Sequence, residues 1–284
     1  WEAVEDAHID IDRLRGPRTG VFIGASLVET LSQYYVDPNR GGSAFVLGNT
    51  LDIIAGRLSA TFDFAGPSHV VDTACASSLT ALHHADRALR SGEIDAALVG
   101  GVHVIRTPGG FVGFSQAGML SPTGRCRSFD ASADGYVRSE AAIAVLLLAP
   151  ERARALGARH RARLLATGVN SDGAASPLTV PSASRQAALM EQTLARTGRD
   201  PEEIGYYEAH CTGTKVGDPV EAESLGTALG QLRRMPLPVG SAKTNFGHAE
   251  PAAGLVGLAK SLLILQHRSE EHTSELQSRE TISY

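Results

Sequence analysis

The sequence predicts an α/β fold built on a mainly parallel sheet. Two observations carry this. Short apolar runs of strand length alternate with longer segments of helical spacing, from Val21 through to Gln266. The same order also recurs at two places, Cys75 and His248, where a strand-like run ends on a reactive side chain and a helix follows.

The elements follow in order. Val21-Phe22-Ile23-Gly24 is an apolar run closed by glycine and predicts a buried strand. Phe45 to Leu58 carries spaced apolar residues and predicts one helix. Ser68 to Asp72 is β-rich and leads towards Cys75. Ser77 to Arg90 predicts a helix with Leu79, Leu82 and Leu89 on or near one face, stopped at Ser91-Gly92. Ala96 to Val104 predicts a strand broken by Gly100-Gly101, and Ile143 to Leu148 another buried strand. Arg163 to Val169 predicts a strand, and Ser184 to Thr197 a helix ended by Gly198. Ile204 to Ala209 predicts a strand leading into His210, and Pro219 to Leu229 a helix ended by Gly230. Leu237 to Ala242 predicts a strand leading into Lys243 and His248, and Leu255 to Gln266 a long apolar helix.

Composition bounds the function. The chain has 284 residues, 43% of them hydrophobic and 20% charged, as in a soluble globular enzyme. A formal net charge of -5, with no dense Lys/Arg run, gives no sign of nucleic-acid binding. No apolar run reaches membrane-spanning length. Three cysteines do not make a disulfide framework, so a reduced, cytoplasmic setting is expected. The chain opens on Trp1-Glu2-Ala3, with neither methionine nor a signal core, and the true start is expected upstream.

Three short segments carry chemistry. In Asp72-Thr73-Ala74-Cys75-Ala76-Ser77-Ser78-Leu79, a cysteine stands at a helix N-terminus. Free N–H groups and the helix dipole favour its thiolate, the nucleophilic form. A small buried cysteine flanked by helix-capping serines is an equal reading of that segment alone. In Glu208-Ala209-His210-Cys211-Thr212-Gly213-Thr214, a histidine leaves a strand for a Gly/Thr turn. A capped structural histidine is the simpler reading there, and no further ligands stand at zinc-site spacing around Cys211. In Lys243-Thr244-Asn245-Phe246-Gly247-His248, a polar pair precedes a helix opened by Ala252-Ala253-Gly254. A surface lysine and a capping histidine would also fit.

Together the three segments resemble the beta-ketoacyl synthase family, most closely the ketosynthase domains of type I polyketide synthases. The resemblance spans almost all of Trp1 to His267, in family order. It includes the linking stretches Gly118-Met119-Leu120-Ser121-Pro122, Phe129 to Arg138, and Val169-Asn170-Ser171-Asp172-Gly173. It implies a thiolase-like α/β fold of two similar halves, layered α-β-α-β-α, incomplete here and homodimeric in the full domain. It implies that Cys75 accepts an acyl group and that a malonyl-type extender arrives on the phosphopantetheine arm of an acyl carrier protein. Neutral His210 and His248 then donate to the extender thioester, Lys243 orders the histidines, and Thr212 and Thr214 contact the pantetheine arm. No metal or organic redox cofactor is implied. Other polyketide synthase domains are the expected neighbours, with no nucleic acid and no membrane.

The resemblance divides the chain into an N-terminal half at 1–170, a C-terminal half at 171–267 and a tail at 268–284. The tail segment Arg268 to Ser278 reads like the translation of a sequencing adapter. The chain departs from the family in three places. Cys211 stands where glycine is usual, and would be strained if that turn needs positive φ. Ser139-Glu140-Ala141-Ala142 replaces a more glycine-rich stretch, and Ala76 replaces a serine common in modular enzymes. The family's opening strand region and a late Gly/Phe-rich loop are expected to lie outside this chain. By itself the chain is therefore expected to be poorly stable and inactive. Two further readings are a cysteine-nucleophile thioester hydrolase and a catalytically silent fragment.

Overall fold

The computed structural model describes residues 1–26, 29, 31, 37, 42, 45–177 and 179–267. The chain divides into two compact units. The first holds Trp1–Val112, Ser139–Arg161 and Ala249–Val256; the second holds Gly113–Arg138, Ala162–His248 and the rest of the chain from Gly257. The polar tail lies outside the described residues.

The first unit is built on a four-stranded sheet. Its strands are β1 (Thr19–Gly24), β2 (Ser68–Val71), β3 (Ala96–His103) and β4 (Ala141–Leu148), in the order β2-β1-β3-β4. β1 pairs in parallel with β2 and β3, and β4 closes the edge antiparallel to β3. All six residues of β1 are buried, as a central parallel strand with both faces covered requires. The core gathers Leu14, Val21, Ile23, Ala55, Phe64 and Leu98 against Ile54, Leu58, Val70 and Leu146. The helix Ser77–Arg90 matches its expected span and carries buried Ala81, Leu82, Ala85 and Ala88.

Two expectations in this unit change. The segment from Phe45 to Leu58 is two helices, Phe45–Asn49 and Asp52–Phe62, because Asn49 turns its side chain back to bond Phe45 O at 2.8 Å. Gly100-Gly101 does not break β3, which runs through both residues. The glycines are there for close packing. A Cβ on Gly100 would stand 2.7 Å from Ile23 Cδ1, and one on Gly101 2.9 Å from Ser78 Cβ.

In the second unit β5 (Tyr207–Glu208) and β6 (Val239–Gly240) form a short parallel pair. Helices Ala183–Thr197 and Gly217–Ala228 pack on each other in a cluster of Ala187, Ala228 and Leu229, with Met190, Leu194, Ile204 and Leu237. Gly198 ends the first of these helices in the left-handed conformation, φ 66°. Both strands are shorter than their apolar runs. Arg163 to Val169 is not a strand: β-rich composition by itself does not make one. Instead Arg196 donates to Thr167 O at 3.0 Å. Further helices that were not anticipated form among the described residues, including Glu2–Asp6, Gly109–Gln116 and Pro150–Leu156. The last has legible limits, with proline in its first turn and Gly157 at φ 64° after its end. No helix among the described residues is long and apolar enough to cross a membrane.

Candidate active site

Cys75 belongs to the first unit. It sits in a single tight turn, Ala74–Ala76, between β2 and the helix Ser77–Arg90. Ala74 there takes φ 51°, a left-handed conformation that costs a residue bearing Cβ roughly 1–2 kcal/mol. Local bonds hold the turn. Asp72 Oδ1 accepts from Ala74 N at 3.0 Å; Ser77 Oγ accepts from Thr73 N at 2.9 Å and donates to Ala74 O at 2.6 Å. Ser77 thus braces the turn and caps nothing. Ser78 is also fully buried, its hydroxyl accepting from Leu255 N at 3.2 Å. Cys75 is half-buried, whereas Cys126 and Cys211 are buried. A half-exposed thiol at the start of a 14-residue helix has the dipole and the access that a nucleophile needs.

The other five sequence-picked residues belong to the second unit. Because β5 and β6 run parallel, the loops carrying His210 and Lys243 leave the same edge, where Ala209 N donates to Gly240 O at 2.7 Å. Beyond the short helix Lys243–Phe246, His248 is held by its own N–H, which donates to Val137 O at 2.7 Å. The imidazoles of His210 and His248 meet edge to face, centroids 5.3 Å apart at 87°. Tyr136 backs His248 at 5.3 Å. Lys243 is buried, as is Thr212, whose hydroxyl lies 3.3 Å from that of Thr214.

Two buried carboxylates shape the His210 loop. Glu221 accepts from His210 N at 2.8 Å and Cys211 N at 2.7 Å. Asp218 accepts from Gly213 N at 3.1 Å, Thr214 N at 3.2 Å and Phe129 N at 2.9 Å. Sequence reading missed both. The available signal was the pair of acidic residues three apart, which share one face of the helical segment. The turn also removes the concern over Cys211. Gly213 carries the positive φ, 80°, and Cys211 does not. Ser128 and Ser241 donate to Cys211 O at 2.7 and 3.2 Å, so the residue fits without strain.

Electrostatics favour a neutral imidazole at position 210. Burial, and then repulsion from the Lys243 ammonium, bring the His210 pKa down to about 3. The residue keeps an open face, where water softens the burial effect; both causes still act in the same direction. Burial pushes the Glu221 carboxyl up, against the pull of the Cys211 and His210 amides and of Lys243. Burial and Asp218 push the Cys211 thiol up, and burial raises Cys126. Both are thus kept as thiols, poor metal ligands and poor nucleophiles.

A family model described as beta-ketoacyl synthase, N-terminal domain, matches residues 1–153, and the corresponding C-terminal domain model matches residues 161–277. A phenolphthiocerol/phthiocerol polyketide synthase subunit from Mycobacterium tuberculosis is 45% identical over 269 residues, covering 94% of this chain and 14% of that protein. A fatty acid synthase sequence from the goose Anser anser anser is 44% identical, over 94% of this chain and 75% of its own length. An oxazolomycin ketosynthase domain from Streptomyces albus superposes with a TM-score of 0.88 at 41% identity, over 94% of this chain and 48% of that one. The chain therefore spans about half of a solved ketosynthase and a small part of the polyketide synthase.

Proposed function

The chain belongs to the beta-ketoacyl synthase family, and from that premise we propose that it is the condensing portion of a type I polyketide synthase. Its fold class is thiolase-like α/β. In this reading Cys75 thiolate attacks an acyl thioester, expels the carrier thiol and holds the acyl group as a new thioester. A malonyl-type thioester then enters on the phosphopantetheine arm of an acyl carrier protein. Its carboxylate leaves as carbon dioxide, and the electron pair moves into an enolate. The enolate carbon attacks the acyl carbonyl, and Cys75 departs as thiolate. The product is a β-ketoacyl carrier thioester, two carbons longer when the extender is malonyl.

His210 and His248 are the donors to the extender carbonyl oxygen as enolate charge builds. A donor must keep its proton, and an imidazole that resists becoming imidazolium does so. The observation that carries the reading is this pair, edge to face at 5.3 Å, with His210 held neutral by burial and by Lys243. Each such donor is worth roughly 3 kcal/mol to a transition state that develops oxyanion charge. Thr212 and Thr214 bond the amides of the pantetheine arm. The division at 1–170 and 171–267, with a separate tail at 268–284, belongs to the same reading. So do a homodimeric full domain, neighbouring synthase domains, a cytoplasmic setting and the lack of any directly bound cofactor.

The test separates condensation from hydrolysis. Cys75 is loaded with an acyl group in the full-length protein carrying this chain, and intact mass is followed with and without malonyl carrier protein. Condensation predicts a stable acyl-enzyme that discharges to β-ketoacyl carrier and carbon dioxide only when the extender is added. Discharge to free acid at the same rate in both arms would establish the hydrolase instead.

A further inference from the structure

Glu208 is the last residue of β5, two positions before His210, and none of the steps above uses it. Its side chain is only 12% exposed, and both carboxylate oxygens are engaged. Oε1 accepts from Ala242 N at 2.5 Å. Oε2 accepts from the Tyr206 hydroxyl at 2.5 Å and lies 2.9 Å from Lys260 Nζ. The ammonium makes no aligned hydrogen bond among the described residues, so it acts on Glu208 as a nearby charge and also faces the Tyr206 ring at 5.4 Å. Burial, and then Glu208, push the Tyr206 phenol up, so it remains a donor.

The surrounding backbone is cut back to seat this group. A Cβ on Gly240 would stand 2.6 Å from the Tyr206 hydroxyl oxygen and 3.1 Å from Lys260 Nζ, and one on Gly257 would stand 3.0 Å from Glu208 Cγ. A buried ion pair that served stability alone would need only Glu208 and Lys260. Here the second oxygen is spent on Ala242 N–H, the residue directly before Lys243. Through its own backbone, Glu208 is equally close to His210. One carboxylate thus ties together the two loops whose spacing sets how strongly Lys243 acts on His210.

We propose that Glu208, fixed by Tyr206 and Lys260, is a positioning residue that clamps the Lys243 loop to the His210 loop and so serves extender decarboxylation rather than acyl loading. The proposal rests on the function given above, and its test keeps the two apart. The main variant is Glu208→Leu with Lys260→Met in the full-length protein. Replacing both members of a buried pair by apolar side chains often preserves stability, whereas removing one strands a charge. Carbon dioxide release and elongation should fall at least tenfold, with Cys75 acylation within about twofold of wild type. Lys260→Arg, which keeps the charge beside Glu208, should leave both half-reactions within about twofold.

Parallel loss of the two half-reactions, or loss of neither, overturns the proposal. Should the double variant fail to fold, Tyr206→Phe removes one donor to the carboxylate and should give the same split at about threefold. Equal loss of both half-reactions in that variant counts against the clamp. A wild-type protein that loads Cys75 and never elongates refutes the assigned function and leaves the clamp to be judged on hydrogen exchange. Faster exchange at the Ala242 amide in Tyr206→Phe supports the clamp, and unchanged exchange overturns it.

Discussion

At position 210 the backbone is fixed by Glu221, and burial and Lys243 favour the neutral ring, which suits the donor role proposed for it. His210→Ala should therefore leave Cys75 acylation detectable and reduce elongation by about a hundredfold to a thousandfold, the usual effect of removing one oxyanion donor. Elongation at the wild-type rate would refute the role. At this scale the sequence was largely readable. Cys75, His210, Lys243 and His248 are reactive types at strand-end positions, and it is the joint resemblance of their three segments to one family that singles them out. Asp218 and Glu221 were not readable, because a carboxylate that bonds backbone amides elsewhere in the chain has no local motif. Glu208 was quoted only as part of the His210 segment, since its partners Ala242 and Lys260 are distant in sequence.

At the scale of elements, the Cys75 turn depends on how closely β1 and helix Ser77–Arg90 approach. A Cβ on Gly24 would fall 2.3 Å from Ser78 N, a backbone atom that cannot swing aside. Gly24→Ala should cost about 3 kcal/mol through overpacking and slow Cys75 acylation as the helix start shifts. Thermal unfolding and acyl loading measure both effects, and an unchanged melting temperature would refute the packing argument. The helix Ser77–Arg90 was correct in its full span because its stop and its length agree, although of Leu79, Leu82 and Leu89 only Leu82 is buried and Leu79 is exposed. Phe45 to Leu58 failed because apolar spacing is blind to a side chain that bonds its own backbone. Gly100-Gly101 was read as a break because glycine weakens a strand locally, whereas here it admits Ile23 and Ser78.

At the scale of the whole molecule, the titrating groups predict sensitivity to acid. His210 and His69 both have pKa values below the ordinary histidine value, His69 through burial and then His84. The unfolded chain takes up protons at these sites near pH 6.5, and the folded chain does so only at lower pH. Stability should thus decline as pH falls below about 6.5. Asp6, Asp95 and Asp134 sit below the usual carboxylate value beside Arg161, Arg18 and Ser121. Their small contributions are present above the unfolded carboxylate pKa and are lost as pH falls further. Glu221, raised by burial, acts in the opposite sense. The melting temperature should therefore drop between pH 7 and pH 5, and His210→Asn should flatten part of that drop. A melting temperature that rises over this range would contradict the assignment. By itself, the sequence determined the α/β class and the order of its main elements, and its motifs pointed to the family, because periodicity, capping and motif spacing are local properties of a chain. Only the tertiary structure decided that Arg163 to Val169 is no strand, that Gly213 rather than Cys211 takes the positive φ, and that Asp218, Glu221 and Glu208 hold the loops. Ladders, buried carboxylates and close glycine contacts join residues far apart in sequence, and such pairings exist only once the chain has folded.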